Sequence, residues 1–339
     1  MIYGSIYIGL MAVISAASYG YADPHLLTQL PYIAYWHRPL ATVLFFVFLL
    51  LLFALYFYFI THPPKIWVII VSAFVLAFSY PALSYDLFNY ITTAKVLYTH
   101  HENPYIVMPI EIPNEPYLAF TRAANKTALY GPVWLAISAI PHFLGGGNIW
   151  ATVFAFKFMN VLAYFGFAYI VWKKTKNLNN VLFFAINPLV LIEVIMNGHN
   201  DIYMMVLALA GGYIGLVASW FVKGATLPLL FVAKKTLVWW YWVLAAVFFI
   251  LAPIREELYP WYAVWLITTA ALLPAKNNRF IHWFTVALSF ALELRYLPYL
   301  WMGYYEGPGP ALRLLLTVVP VAVFLFWYLW KKPKQQLFS

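Results

Sequence analysis

The chain has 339 residues, of which 65% are hydrophobic, 21% aromatic and only 9% charged. Ordinary globular chains carry roughly 25% charged residues, so a water-facing globule of this size is excluded and lipid must solvate much of the surface. No cysteine is present, which excludes disulfides, thiolate metal sites and cysteine nucleophiles; the net charge of +9 is read first as membrane topology, and no nucleic-acid partner is expected.

A spanning helix needs about 20 largely apolar residues. Runs of that kind lie at 3–19, 40–61, 66–83, 150–172, 180–197, 202–222, 237–254, 260–274, 281–301 and 311–330. They predict an all-α polytopic membrane protein with about ten transmembrane helices in one membrane domain over 1–339. Nothing before Asp23 is charged, so the first run reads as a retained helix, not a signal peptide, which should begin with positive charge. The stretch 41–60 contains no charge and is the clearest span, whereas 260–274 is the shortest. The run 131–144 contains Pro141 and would be only ~20 Å long as a helix. It is placed in the outer interface, lying on the membrane or re-entrant, and 225–233 near the cytoplasmic side.

Basic residues orient these spans. Lys65, Lys173, Lys174, Lys176, Lys223, Lys234, Lys235, Lys276, Arg279, Lys331, Lys332 and Lys334 fall in alternate loops, which the positive-inside rule makes cytoplasmic. All 11 acids lie in the opposite loops or near the outer ends of helices. The expected location is the plasma membrane of a prokaryote, multi-pass, with the chemistry on the outer face. The segment 84–148 becomes a large first outer loop with interfacial helices.

That loop opens with an amphipathic pattern in which Leu87, Ile91, Ala94 and Tyr98 recur at helical spacing. Ser84 as N-cap puts Asp86 in the first turn, where the helix dipole favours an ionised carboxylate. Such a carboxylate can take a proton from a hydroxyl, or it can serve the helix alone. Asn103-Pro104-Tyr105 and the proline-punctuated 108–116 read as loop. Arg122 and Lys126 then lead to Tyr130-Gly131-Pro132-Val133-Trp134, with Pro132 suited to open a helix. Asn187-Pro188-Leu189 kinks a span that ends at Glu193 and the polar turn Asn197-Gly198-His199-Asn200-Asp201. An acid such as Glu193 beside an apolar zone points to function, whereas His199 and Asp201 are too few to define a metal site. Arg255 precedes Tyr259-Pro260-Trp261-Tyr262, and its guanidinium suits a phosphate held by two hydrogen bonds. Glu293 and Arg295 lie near the outer end of a late span, where each can neutralise the other. Lys157, a charge inside a helix, favours a transporter, although transporters usually show repeated halves and midplane polar groups.

Together Ser84-Tyr85-Asp86, Asn103-Pro104-Tyr105, Tyr130–Trp134, Asn187-Pro188-Leu189, Asn197–Asp201 and Tyr259–Tyr262 resemble the GT-C glycosyltransferases. Within these, the similarity is to polyprenol-phosphate-mannose-dependent mannosyltransferases of the α-1,6-mannopyranosyltransferase type. The resemblance runs over about 84–265, and the asparagine-glycine-histidine-asparagine-aspartate turn is its most specific element. It implies a membrane hexosyltransferase that takes a sugar, mannose above all, from a polyprenyl-phosphate donor to a glycan or glycolipid acceptor among membrane lipids, without metal or cofactor. Asp86 matches the family's first-loop acid and is the expected general base, with His199 in reserve. Arg255, helped by Arg122 and Arg295, is the expected phosphate clamp. Tyr85, Tyr105, Tyr130, Glu193, Asn200, Asp201 and Trp261 are the expected substrate contacts. A lysine in a comparable context lies near the donor in relatives, whereas the topology above puts Lys223 inside. An O-antigen-ligase-like or polymerase-like transferase using a lipid diphosphate, a lipid or solute transporter, and a structural membrane subunit are the alternatives.

Overall fold

A computed structural model describes residues 2–23, 25–26, 33–223, 238–255 and 257–331. The stretch 225–233, expected near the cytoplasmic side, lies outside the described residues, as do Lys234, Lys235 and the side chain of Arg255. Among the described residues every regular element is helical.

In chain order these are α1 (Ile2–Ser18), α2 (Ile33–Trp36), α3 (Arg38–Thr61), α4 (Ile66–Ala77), α5 (Asp86–Tyr98), α6 (Pro132–Gly145), α7 (Ile149–Thr175) and α8 (Leu178–Ala185). They continue as α9 (Pro188–Val190) running into a π-helical turn (Leu191–Met196), α10 (Asp201–Ala210), α11 (Gly212–Lys223), α12 (Val238–Arg255), α13 (Ala263–Ala270), α14 (Arg279–Glu293), α15 (Tyr296–Met302) and α16 (Gly309–Lys331). The long helices have local reasons to start and stop. In α7 the Asn148 side chain accepts from the Ala151 amide at 3.0 Å, closing the N-terminus. At its other end Lys173 and Lys174 complement the dipole, before Lys176 turns left-handed at φ 52°.

The expectation of about ten transmembrane helices is corrected by this structure. Among the described residues four helices are long and apolar enough to cross a membrane: Ile2–Tyr21, Arg38–Thr61, Ile149–Thr175 and Gly309–Trp330. Leu178–Ala185 with Pro188–Met196, bent by 51°, makes a fifth if the pair is one span. The protein is a membrane-associated helical protein, but hydropathy overcounted its spans because an apolar run can be wrapped by protein as well as by lipid. Every residue from 182 to 205 is buried. The break in that stretch is at Asn187-Pro188, where the Asn187 side chain caps the Leu189 amide at 3.0 Å. The run 66–83 supplies only the 12 residues of α4, 260–274 only the 8 residues of α13, and 281–301 splits into α14 and α15.

The run 202–222 fails for a different reason. Gly212 takes φ +59°, a left-handed value, and α11 folds back along α10. Lys223 Nζ therefore lies 2.8 Å from Asp201 Oδ2; along one continuous helix, 22 positions at 1.5 Å would hold the two about 33 Å apart. Lys223, assigned to the cytoplasmic side from sequence, stands on the same side as Asp201. Its place is fixed by a close approach: the Gly131 amide donates to the Val222 carbonyl at 3.0 Å. A Cβ on Gly131 would fall 1.9 Å from the Phe221 carbonyl oxygen, so only glycine fits there.

Segment 84–148 carries α5, two short 3-10 turns and α6, which Pro132 opens. Helix α5 begins at Asp86, so Tyr85 and not the expected Ser84 is its N-cap, while Ser84 Oγ accepts from the Asp86 amide at 3.2 Å. It is not half-exposed as an interfacial helix would be, for residues 87–94 are all buried. The proline-rich strap over it is pinned by Glu115, which takes Lys95 Nζ at 2.6 Å and faces His100 Nε2 at 2.9 Å.

Candidate active site

The first turn of α5 and the turn between the π-helical segment and α10 meet. Asp86 Oδ2 lies 3.5 Å from His199 Nδ1, and His199 Nε2 lies 3.2 Å from Glu193 Oε2. His199 and Glu193 are fully buried, whereas about a quarter of the Asp86 side chain is open. The left-handed Gly198 (φ +84°) turns the chain so that His199 can face both acids. Trp261 stacks flat on the imidazole, with ring centres 3.9 Å apart and planes 19° apart. Tyr259 stacks on the far face of the packing at 4.4 Å from Trp261.

Both ring nitrogens face carboxylate oxygens, which only accept. A doubly protonated imidazolium suits these two ion-pair distances, although among the described residues neither ring nitrogen has an aligned hydrogen bond, and the indole face adds a favourable surface for its charge. Burial alone would lower the His199 pKa, but Asp86 and Glu193 outweigh it and raise the value above the usual histidine range. Burial likewise tends to raise the Asp86 pKa. His199, Lys223 and the Asn89 amide reverse that and hold its carboxyl below the usual carboxylate range.

Supporting bonds surround the trio. Glu193 accepts from Tyr296 at 2.8 Å and from the Asn197 amide at 3.0 Å. Asn89 donates to Asp86 Oδ1 at 3.4 Å and accepts from the Ala123 amide at 3.1 Å. Asp201 is fully buried and takes Lys223 Nζ at 2.8 Å and Trp265 Nε1 at 2.7 Å. Asn200 is fully buried, and among the described residues neither atom of its amide has a partner. A buried unpaired amide is uncommon and asks for an explanation such as a ligand hydroxyl. Among the described residues no group of three or more His, Asp or Glu side chains is arranged to hold a metal ion.

Lys157 is a structural staple in this geometry. Its ammonium donates to the Ser79 carbonyl, to Ser79 Oγ at 2.7 Å and to the Met196 carbonyl at 2.9 Å. Three donors meet three acceptors, and the cation ties the end of α4 to the end of the π-helical turn. The feature that favoured a transporter is thereby accounted for.

A family model described as alpha-(1->6)-mannopyranosyltransferase, N-terminal domain, matches residues 2–274. The chain belongs to this family. Membership makes it a glycosyltransferase-type membrane enzyme related to the mannosyltransferases, in agreement with the resemblance read from the motifs. No curated protein and no solved structure matches the chain. The family match covers Asp86, Glu193, His199, Lys223 and Trp261, and leaves Glu293, Arg295 and Tyr296 beyond its end.

The remaining mannopyranosyltransferase-like motifs are placed unevenly around this centre. Arg122 lies over the Tyr85 ring at 4.7 Å and 4.0 Å from Asp23, beside the mouth of the site. Arg295 does not pair with Glu293. It donates to Glu257 at 3.0 Å and to Thr317 at 3.0 Å, and Arg313 shares the same Glu257 oxygen. Tyr105 bonds to the Tyr130 carbonyl at 2.9 Å, and Tyr130 packs edge-on to Tyr90, so both stand behind the centre. Sequence reasoning passed over Asn89, Trp265 and Tyr296, and it named Asn197 only as part of the polar turn. Gly211-Gly212 was the available sign that Lys223 returns to the site.

Proposed function

We propose that this member transfers a hexose, mannose by its family, from a polyprenyl-phosphate donor to a glycan or glycolipid acceptor on the outer face of the membrane, as a GT-C type enzyme. The observation that carries this reading is Asp86, a partly open carboxyl 3.5 Å from His199 at the edge of an otherwise buried cluster, which His199, Lys223 and Asn89 hold below the usual carboxylate range, within the span matched by the family. The acceptor hydroxyl attacks the anomeric carbon, and the bond from that carbon to the phosphate oxygen breaks. The hydroxyl proton passes to Asp86, and polyprenyl phosphate leaves with the bonding pair. A β-linked donor so displaced yields an α product.

His199 positions Asp86 in this scheme. As an imidazolium between two acids it has no free lone pair with which to act as a base. Asn200 is assigned to a sugar hydroxyl and the half-buried Tyr259 to the wall against which the sugar lies, with Trp261 behind it, sandwiched between Tyr259 and His199. Asp201 with Lys223 is a buried ion pair that holds the α10–α11 hairpin beside the centre. Such a pair is costly to break because removing one partner strands the other charge.

The direct test is incubation of the purified protein in lipid with labelled polyprenyl-phosphate mannose and a mannan-type acceptor. Donor consumption with labelled product supports the reading, and an intact donor under all acceptors overturns it. The orientation is tested separately. A cysteine at exposed Asn114 should react with an impermeant reagent added outside intact cells, and one at exposed Asn177 only after permeabilisation. Reversed labelling would place the ionic centre on the cytoplasmic side.

A further inference from the structure

An apolar groove of about 320 Å³ lies between the C-terminal half of α1 and the N-terminal half of α3. Small residues, among them Ala16, Ala17 and Ala41, hollow it out, and Leu83 and Met196 line its inner part. Leu40 and Leu44, both well exposed, stand on its outer wall. Both flanking helices are among those long and apolar enough to cross a membrane, so the groove faces hydrocarbon. Its inner part adjoins the ionic centre: the Leu83 amide donates to Asn197 Oδ1 at 3.2 Å, and Asn197 in turn holds Glu193 at 3.0 Å.

The end formed by Tyr21 and His37 is next to a concentration of positive charge. Arg38 lies 4.8 Å from the centre of the Tyr35 ring, and Arg122 lies 4.7 Å from that of Tyr85. The hydroxyls of Tyr35 and Tyr85 are 3.2 Å apart, which joins the two cation–ring pairs. Arg38 has no carboxylate within ion-pair distance among the described residues, and Arg122 has only Asp23, at 4.0 Å. The backbone is also moulded around Arg38. Gly303, left-handed at φ +83°, would place a Cβ 2.3 Å from the Arg38 guanidinium carbon. Two guanidiniums with so little counter-charge suit a phosphate, and Tyr85 is the residue before Asp86.

We infer that this groove seats the single prenyl chain of the donor and that Arg38, with Arg122, holds its phosphate, which presents the attached sugar to Asp86. The occupant is a one-chain lipid phosphate, since a groove of about 320 Å³ between two helices adjoins the cationic end at Arg38. This assignment rests on the donor reading above and adds Arg38 as a binding residue and Ala41 as a determinant of chain recognition.

The test uses the full-length protein in detergent–lipid micelles and a long-chain polyprenyl phosphate that carries no sugar. Affinity is measured for this probe, for a ten-carbon prenyl phosphate, for the matching polyprenol and for diacyl phosphatidate. Arg38→Gln should weaken the long-chain phosphate roughly ten- to hundredfold, the loss expected for a charge-assisted contact, while leaving the polyprenol unchanged. Arg38→Lys should recover part of the loss, which a misfolded protein could not do. Ala41→Trp fills the groove and should weaken the long chain while sparing the short one. Wild-type affinity in both Arg38→Gln and Ala41→Trp overturns the assignment. So does equally tight, variant-sensitive binding of phosphatidate, which would mark an ordinary membrane-lipid site. Variant-sensitive binding of the long-chain phosphate without any sugar transfer would keep the groove and remove the transferase reading; transfer with neutral groove variants would do the reverse.

Discussion

Replacing Asp86 with Asn should lower sugar transfer by about 10²- to 10⁴-fold, the usual cost of removing a general base. Asn keeps the size of the side chain and can still hydrogen-bond to Asn89 and face His199, but it takes no proton at neutral pH. Donor affinity should hold or rise slightly, because one negative charge beside the phosphate is gone. The two readouts, transfer rate and donor affinity on the same purified protein, separate the possible roles. Near-normal transfer removes Asp86 as the base. Transfer and affinity lost together mark a residue that only holds the first turn of α5, where Ser84 already meets the Asp86 amide at 3.2 Å. A transporter would show no division between retained binding and lost turnover.

The all-helical character and the four long spans were legible because α1, α3, α7 and α16 are long apolar runs that remain unbroken helices. Those runs follow local rules, and local rules can be read in a sequence. The remaining runs were misread for two reasons: part of their apolarity serves the protein's own interior, whereas 66–83, 202–222 and 237–254 keep exposed apolar side chains such as Phe74, Ile214 and Ile250 on helices that are short. From 182 to 205 no residue is exposed, and a hydropathy window cannot tell a protein wall from a lipid one. Lys223 shows how one such error spreads. Reading α10 and α11 as a single span moved that lysine across the membrane, although Gly211-Gly212 marks the turn that returns it to Asp201. The site was legible in parts. Asp86 and His199 were each singled out, but 113 positions separate them, and only the meeting of the first turn of α5 with the turn before α10 brings them to 3.5 Å. The stacking of Trp261 on His199 depends likewise on the 3-10 turn Pro260–Tyr262 lying against the π-helical segment. Arg38 was not singled out in the sequence, since only the fold brings Gly303 beside it and joins its partner Tyr35 to Tyr85.

The ionic centre makes a second large effect predictable. The contact between Asp86 and His199 needs an ionised acid and a charged imidazole. Asp86 has a depressed pKa, so its share of the contact is present above the unfolded carboxylate range and is lost as pH falls through the lower folded value. His199 has a raised pKa, so its share is full below the unfolded histidine range and is lost as pH rises through the higher folded value. Between those limits Asp86 stays ionised and fixed in direction, and transfer should be flat with pH. His199→Gln removes the cation while keeping a side chain that can donate one hydrogen bond. Burial, the largest influence on Asp86, then acts with less opposition and moves its pKa upward. The acid limb of the pH–rate profile should shift to higher pH, and transfer at neutral pH should fall roughly 10- to 100-fold from the loss of a charge-assisted contact. Donor affinity should change little, since His199 is fully buried and does not reach the open side of the carboxylate. If His199 were itself the base, the variant would lose the limb altogether together with nearly all activity, at every pH. A limb that stays where it was, with transfer unchanged, would mean that the imidazolium does not govern Asp86, leaving Lys223 and Asn89 as the groups that keep the carboxylate charged.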